Sequence, residues 1–465
     1  MREQDVLLLP HQHETVGAQE RTIVTIGGVG SGKSLGCIYG FIAEIQRFPY
    51  CQPYAIGPTY GNMKEGQLFS LKAMLDELDI EYEQNRSDLS ITIDTDRPGG
   101  TRVIPWTAEA FRRLKGQAMD IVWGDEAQVW ERGHEVFDFI GTRMRPSETA
   151  RVHHPDHVPR MWLSANPPHS TGHWLYQYFV KKNPPNTRLI RTTTFDNYLL
   201  PLREQYIERM RSTMDPQLFA IEVMGEWGDI GVGRVYTQFD DKKNVGTALT
   251  LPGGRKIELD YDKAKPHRWT HDFGVSPRVA ISFQVIVPPQ KIPGYQREIV
   301  FVFDEYSMQN GSTFELIGEF TRRNPPESIS SLILHGDPAG QTRNSTTGLS
   351  DWAMLRDDPR MQAYRGLIER GSAAPLIVDR TNAMNAKLCN AAGDVGIIIH
   401  PRCTKLREDL QQTAWKDGTR QLDHGTPAKG LHRTHWSDAL GYPVELTWPL
   451  TTRHVGVIGH GWSQR

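Results

Sequence analysis

The run Gly27-Gly28-Val29-Gly30-Ser31-Gly32-Lys33-Ser34 constrains this chain more than any other stretch. It fits G-x-x-x-x-G-K-[ST] without a mismatch. It also lies between the apolar run 21–26 and a helix-forming segment reaching Ile45, the strand-loop-helix setting that the motif requires. Glycines let the backbone curl so that successive N–H groups and the helix N-terminus face a β-phosphate. Lys33 then reaches the β and γ oxygens, and Ser34 ligates magnesium. The stretch reads as a nucleotide-binding phosphate loop, and the chain around it as an α/β fold whose parallel sheet presents the loop at a strand end.

The rest of the first half supplies matching parts. Upstream, Gln12 carries an amide able to meet both donor and acceptor edges of adenine. Downstream, strands with their closing turn residues are expected over 53–59, 90–94, 101–106, 160–168 and 188–194. A helix is expected over 68–78, where Leu68, Leu71, Met74, Leu75 and Leu78 follow helical spacing, with another over 108–115 and two between Pro201 and Val223. The segment 120–128 is an apolar strand ending in adjacent acids. Asp125 is expected to hold magnesium through water, and Glu126 to orient and deprotonate the attacking water. Alternation along a strand points the two in different directions, which suits two roles. A further strand ends at Ser164-Ala165-Asn166, where Asn166 is placed to sense a γ-phosphate.

At 465 residues the chain exceeds what one hydrophobic core usually serves. The glycine-dense stretch 225–233 marks a boundary. It gives a nucleotide-binding domain over 1–230, a linker over 231–264, and a second domain over 265–465. With 38% hydrophobic and 23% charged residues and no apolar run of membrane-span length, the composition is that of a soluble globular protein. The N-terminal stretch has too short an apolar run for a signal peptide, so a cytoplasmic setting is expected. Cys37, Cys51, Cys389 and Cys403 are scattered without C-x-x-C spacing, which argues for ordinary buried thiols over a zinc ribbon or a disulfide framework. A net charge of −2 neither supports nor excludes a nucleic-acid partner.

The second half changes character. Segments 269–275, 279–287 and 299–305 read as consecutive strands without helices, whereas 332–337 and 396–399 alternate with helices, the order of the RNase H-like fold. Asp272 sits in the first of these strands, Asp337 at the end of the fourth, and Asp438 in the final helical segment 435–442. Burying an acid in an apolar strand is expensive unless a cation or donor satisfies it. Three converging carboxylates would hold two divalent ions roughly 3.5–4 Å apart, clamping the attacking and leaving oxygens of a phosphodiester. His435, one helical turn before Asp438, is a candidate ligand or base. Glu305, at a strand end, is an alternative or supplementary ligand, with Asp337 preferred. After Asp423 the only acids are Asp438 and Glu445, with Lys429, Arg433, Arg453 and Arg465 nearby, a mild bias toward a polyanion.

Taken together, these residues resemble the large terminase subunits that package DNA in tailed bacteriophages. The resemblance runs from Pro10-His11-Gln12 through Gly336-Asp337-Pro338-Ala339 to His435 and Asp438. It is most specific at Thr194-Phe195-Asp196-Asn197, Gly225-Glu226-Trp227 and Gly233-Arg234-Val235-Tyr236. It implies an ASCE-type ATPase over 1–230, with a lid near 195–230, that translocates double-stranded DNA, followed by an RNase H-like, two-metal endonuclease that cuts concatemers. By position it makes Gln12 the adenine contact, Lys33 and Ser34 the phosphate-loop pair, and Asp125 and Glu126 the magnesium and water acids. Ser164 to Asn166 become the coupling motif, and Asp272, Asp337 and Asp438 the nuclease acids. ATP and Mg²⁺ are the implied cofactors, with Mn²⁺ able to substitute in the nuclease. The implied partners are double-stranded DNA, the portal protein, the small terminase subunit and further copies of the chain in a ring. The implied location is the host cytoplasm and, transiently, the procapsid portal vertex, with no membrane. The family presents an arginine that completes a neighbour's ATP site, and Arg112, Arg113, Arg143 and Arg145 all qualify.

Two other readings compete. One is a helicase-like or chromosome-processing ATPase whose second half binds nucleic acid without catalysis. The other is an ATP-regulated scaffold that interacts only with proteins.

Overall fold

The computed structural model describes residues 6–114, 116–228, 233–251, 254–274, 276–342, 348–364, 366–416, 421–424, 434–450 and, by backbone alone, 457–461. The chain divides into two compact units, Met1–Glu208 with Phe219–Ile230, and Arg209–Leu218 with Gly231–Arg465.

The first unit is built on one sheet of strands β1 (Thr22–Gly27), β2 (Pro53–Gly57), β3 (Tyr82–Gln84), β4 (Ile91–Ile93), β5 (Thr101–Thr107), β6 (Ile121–Gly124), β7 (Arg160–Ala165) and β8 (Thr187–Thr192). Its order is β3-β4-β5-β2-β6-β7-β1-β8, parallel from β5 to β8 and antiparallel at the β3-β4-β5 edge. Parallel strands are covered on both faces, and alternate residues feed two cores. Ile23, Ile121, Trp123 and Trp162 pack with Ile38 and Phe41 of the helix Lys33–Arg47. Val24, Val122, Met161 and Leu163 fill the opposite core. One strand, β7, stands between β1, which leads into the phosphate loop, and β6, which leads to Asp125.

Two expected helices differ from expectation. The one at 68–78 begins with a π-helical turn, Asn62–Gln67, before the regular helix Leu68–Glu77, which buries Leu68, Leu71, Met74 and Leu75. The one at 108–115 shrinks to the 3₁₀ turn Phe111–Arg113, and Lys115 lies outside the described residues. Ala108 N–H donates to Gly57 O at 2.8 Å, so sheet-like pairing continues past β5 and keeps the backbone from coiling.

The second unit carries the hairpin β9 (Ala248–Thr250) and β10 (Lys256–Glu258) and a larger sheet. The strands of that sheet are β11 (His267–Asp272), β12 (Arg278–Ile286), β13 (Tyr295–Met308), β14 (Leu332–Gly336), β15 (Leu367–Gly371) and β16 (Val395–Ile399). After the small pair β17 (Ala414–Trp415) and β18 (Leu422–Asp423) comes the last strand, β19 (Val457–Gly461). The order β16-β13-β12-β11-β14-β15-β19 has β11 to β13 antiparallel and β14 parallel to β11, which is the RNase H-like order expected from the sequence. Val279, Ile281, Val300 and Ile397 pack against the helices Ile377–Leu388 and His435–Thr447.

The stretch expected as a linker, 231–264, is folded onto this unit where it is described. Val235, Tyr236 and Phe239 are buried in the same core, and Asn244 Nδ2 donates to Leu388 O and Ile397 O, each at 3.0 Å. The apolar cluster just past the glycines therefore behaves as core, and residues 231, 232, 252 and 253 lie outside the described set. Among the described residues, no helix is long and apolar enough to cross a membrane.

Candidate active sites

In the phosphate loop, Gly30 and Gly32 have φ of 73° and 85°, a left-handed backbone that glycine adopts without steric cost. The loop is tied to chain that follows β8. Val29 N–H donates to Glu222 O at 2.7 Å, Thr194 Oγ1 donates to Val29 O at 2.7 Å, and Asn197 Nδ2 donates to Gly30 O at 2.7 Å. The Thr194-Phe195-Asp196-Asn197 segment thus holds the cradle in shape.

Gln12 has a different task from the one expected. It is 3% exposed, its Nε2 donates to Gly32 O at 2.8 Å, and its Oε1 accepts from Leu9 N–H at 2.9 Å. The amide is committed to the loop backbone and buried against it, so it supports the cradle in place of facing adenine.

The acids behind the loop are arranged around hydroxyls. Ser34 Oγ donates to Asp125 Oδ1 at 3.1 Å, and Ser164 Oγ donates to the same oxygen. Lys33 Nζ donates to Gly28 O at 3.3 Å; burial pushes its pKa down, while the charges of Asp125 and Glu222 oppose that shift. Glu126 has φ of 49°, a left-handed conformation that costs a non-glycine residue roughly 1–3 kcal/mol and clusters at functional sites. Burial, and then the neighbouring Asp125 charge, raise its pKa.

Asn166 is linked to residues that sequence patterns did not single out. Its N–H donates to Gln128 Oε1 at 3.1 Å and its Nδ2 donates to Glu222 Oε2 at 3.3 Å, while the other Glu222 oxygen lies 2.7 Å from His169 Nε2. Glu222 also acts on Lys33 through its charge, so Asn166 reaches the loop lysine through a carboxylate. Of the four candidate arginines, Arg112 pairs with Glu135 at 2.9 Å and Arg143 lies 4.5 Å above the Phe139 ring. Arg113 and Arg145 are exposed.

In the second unit, the register His271↔Gly336 sets β11 and β14 side by side, so Asp272 and Asp337 leave adjacent strand ends. This close approach needs glycine at 336, where an added Cβ would meet His271 O at 2.6 Å. Asp337 Oδ1 accepts from Ala339 N–H at 2.8 Å, and Asp272 Oδ2 lies 2.8 Å from His435 Nδ1. That hydrogen bond raises the His435 pKa against the opposing effect of burial.

Asp438 Oδ1 accepts from the buried Arg380 guanidinium at 2.6 Å. Burial pushes Asp438 up to about 7, with Arg380 opposing and Asp272 and Asp409 adding. Tyr442, whose phenol is raised mainly by burial, feels the charges of Asp337, Asp438 and Asp272 together. The three acids therefore share one electrostatic neighbourhood, although their donor atoms do not all lie within 4.8 Å of one another.

Buried Asp409 fixes this corner. It accepts from Thr434 N–H at 2.6 Å, Ser437 N–H at 2.9 Å and Thr413 Oγ1 at 2.7 Å, and so anchors the start of the helix that carries His435 and Asp438. Glu305, the alternative ligand, is occupied elsewhere. Its two oxygens accept from Lys405 N–H and Leu406 N–H, both at 2.9 Å, and cap the helix Thr404–Gln412. Lys429, Arg433, Arg453 and Arg465 lie outside the described residues. Arg380, Tyr442, Asp409, Glu222 and His169 belong to no motif, and only their tertiary neighbours reveal them.

Residues 24–243 match the family model for the N-terminal part of the T4likevirus-type terminase large subunit. The fold of the whole chain is similar to that of the large terminase from a thermophilic bacteriophage, with a TM-score of 0.57 and 15% identity over 95% of this chain and 99% of that one. A structure of the same phage's large terminase in complex with ATP-gamma-S gives a TM-score of 0.55 at 15% identity, covering 94% and 99% of the two chains. Among curated proteins, none matches the chain.

Proposed function

We propose that this chain is a large terminase subunit, the ATP-driven motor and nuclease of a bacteriophage DNA-packaging machine; the family model over residues 24–243 and the likeness in fold support that reading. One observation supports the reading above the others. A single chain holds a phosphate loop whose Ser34 meets Asp125 at 3.1 Å, and a second unit in which Asp272 and Asp337 leave neighbouring strand ends.

In the first unit the residues fit ATP with Mg²⁺. The Ser34 hydroxyl and Asp125 carboxylate are hard oxygen donors set together, and the cation they would hold balances charge on the β- and γ-phosphates. Lys33 adds a fixed positive charge where negative charge develops in the transition state. Glu126, made more basic by its surroundings, takes the proton of the attacking water. Asn166 is the sensor: through Glu222 it couples the phosphate end of the site to the chain that follows β8.

In the second unit Asp272 and Asp337 fit a hard divalent cation by donor type, Mg²⁺ or Mn²⁺, and such ions supply water activation and leaving-group stabilisation. His435 holds or releases a proton beside Asp272 and thereby sets how much of that carboxylate's charge is free. Double-stranded DNA is the substrate. The portal protein, the small terminase subunit and further copies of the chain are the partners, with one of Arg112, Arg113, Arg143 and Arg145 acting in trans. The setting is the host cytoplasm and the portal vertex.

Incubating the purified chain with plasmid DNA and Mg²⁺ or Mn²⁺, with and without ATP, tests the two halves. ATP hydrolysis together with metal-dependent cleavage is expected, and failure to hydrolyse ATP would overturn the motor assignment. The Arg380–Asp438 pair favours a second reading, a helicase-like ATPase whose second unit binds nucleic acid without cutting it. ATP hydrolysis with no cleavage under either metal would select that reading.

A further inference from the structure

We propose that the first unit carries a zinc site at the edge of its sheet opposite the phosphate loop, formed by Cys51, Asp120 and His157. Cys51 precedes β2, Asp120 precedes β6 and His157 precedes β7, three neighbouring parallel strands. The three residues therefore gather at the N-terminal edge, whereas the loop follows the C-terminal end of β1. One donor atom from each lies within 4.8 Å of the other two, and the residues are 1%, 0% and 4% exposed.

The histidine points to a ligand. Its side chain is 1% exposed, and neither ring nitrogen has a hydrogen bond among the described residues. An imidazole is seldom buried with both nitrogens unused, because each unmade hydrogen bond leaves desolvation uncompensated. Glu44 Oε1, also without a hydrogen bond, lies 3.3 Å from His157 Nε2 and supplies the carboxylate that metal-bound histidines commonly contact. Asp120 is already oriented: Gln52 N–H donates to Oδ2 and Ser147 N–H to Oδ1, both at 2.8 Å, leaving each oxygen a further lone pair.

The donor set selects the metal. Sulfur, nitrogen and oxygen together suit Zn²⁺, whereas Mg²⁺ and Ca²⁺ take oxygen sets. Charge balances as well, since a dication neutralises one thiolate and one carboxylate. Glu44 already faces Arg160, whose Nη1 lies 3.4 Å from Oε2. With metal-to-ligand distances of about 2.0–2.3 Å, tetrahedral ligands stand roughly 3.3–3.8 Å apart, so the cluster closes on an ion by side-chain adjustments of about an ångström. Such an ion would pin the starts of three strands, of which β6 leads to Asp125 and β7 to Ser164 at the proposed ATP site.

Cobalt substitution of the full-length chain tests this, because a thiolate-to-cobalt charge-transfer band reports sulfur ligation. The proposed nuclease site has no cysteine and cannot produce that band. The wild-type chain is expected to take up about one zinc per chain, to show the band with Co²⁺, and to keep it when Cys37, Cys389 and Cys403 are changed to serine. Cys51→Ser and His157→Gln should each lose both the zinc and the band. Absence of the band in the wild-type chain would overturn the proposal whether or not those variants fold. So would its persistence in Cys51→Ser.

Discussion

Asp125 and Asp438 are both acids at the candidate active sites, but the protein neutralises them differently. Asp125 is held by two hydroxyls, from Ser34 and Ser164, which steady the carboxylate without cancelling its charge. Asp438 is held by a buried guanidinium, a positive charge that faces it within the fold. At the proposed ATP site Asp125 would thus be open to a cation, whereas at the proposed nuclease site a cation would have to compete with Arg380 for Asp438 and with His435 for Asp272.

Glu126→Gln gives the largest expected effect. An amide positions water but cannot accept its proton, so ATP turnover should fall by about 10²–10⁴-fold while nucleotide binding stays within a few-fold of wild type. Steady-state hydrolysis alongside a nucleotide-binding titration checks this, and lost binding would move Glu126 out of the base role. Next is Asp272→Asn, expected to reduce plasmid cleavage by about a hundredfold or more and to leave ATP hydrolysis unchanged, because the two sites share no ligand. Cleavage at the wild-type rate would remove the nuclease half of the comparison.

The pH dependence separates the two sites more finely. Asp438 is raised to about 7, so below that pH it is increasingly protonated and neutral, and above it the carboxylate is available. His435 is raised as well, so its deprotonation on going up in pH releases Asp272 in the same direction. Cleavage at limiting Mg²⁺ should therefore fall below neutrality by about tenfold per pH unit where one of the two groups titrates and approach about a hundredfold where both do, and level off above it. A flat profile across this window would mean that Arg380 and His435 do not gate the acids.

The smallest effect concerns Glu305→Gln. Its capping contacts predict a loss of about 0.5–2 kcal/mol in stability, read by denaturant unfolding, with cleavage unchanged. A large loss of cleavage in a stable variant would return Glu305 to the metal site.

Much of the first unit was legible because its signals are local. The phosphate loop, the strand ending in Asp125 and Glu126, and the strand ending in Ser164 are contiguous patterns whose chemistry depends on neighbours in the chain. The second unit was legible in strand order, since β11 to β13 follow one another directly. What the chain alone did not show depended on distant partners. Gln12 reads as a base contact until Gly32 and Leu9 are seen to occupy its amide. Glu305 reads as a ligand until the N-terminus of the helix Thr404–Gln412 is found against it.

By itself, then, the sequence determined the phosphate-loop motif and the succession of a mostly parallel sheet and a mixed one, and it marked three acids of the second unit as candidates, because each rests on spacing along the chain. Only the tertiary structure decided how those acids are charged. Arg380, 58 residues from Asp438, and Asp272, 163 residues from His435, meet through folding alone. The same holds for Cys51, Asp120 and His157, whose spacing resembles no metal motif. Their strands lie side by side only because the sheet order is not the chain order. Periodicity and motif are properties of a chain, but the electrostatic partner of a buried charge is a property of packing.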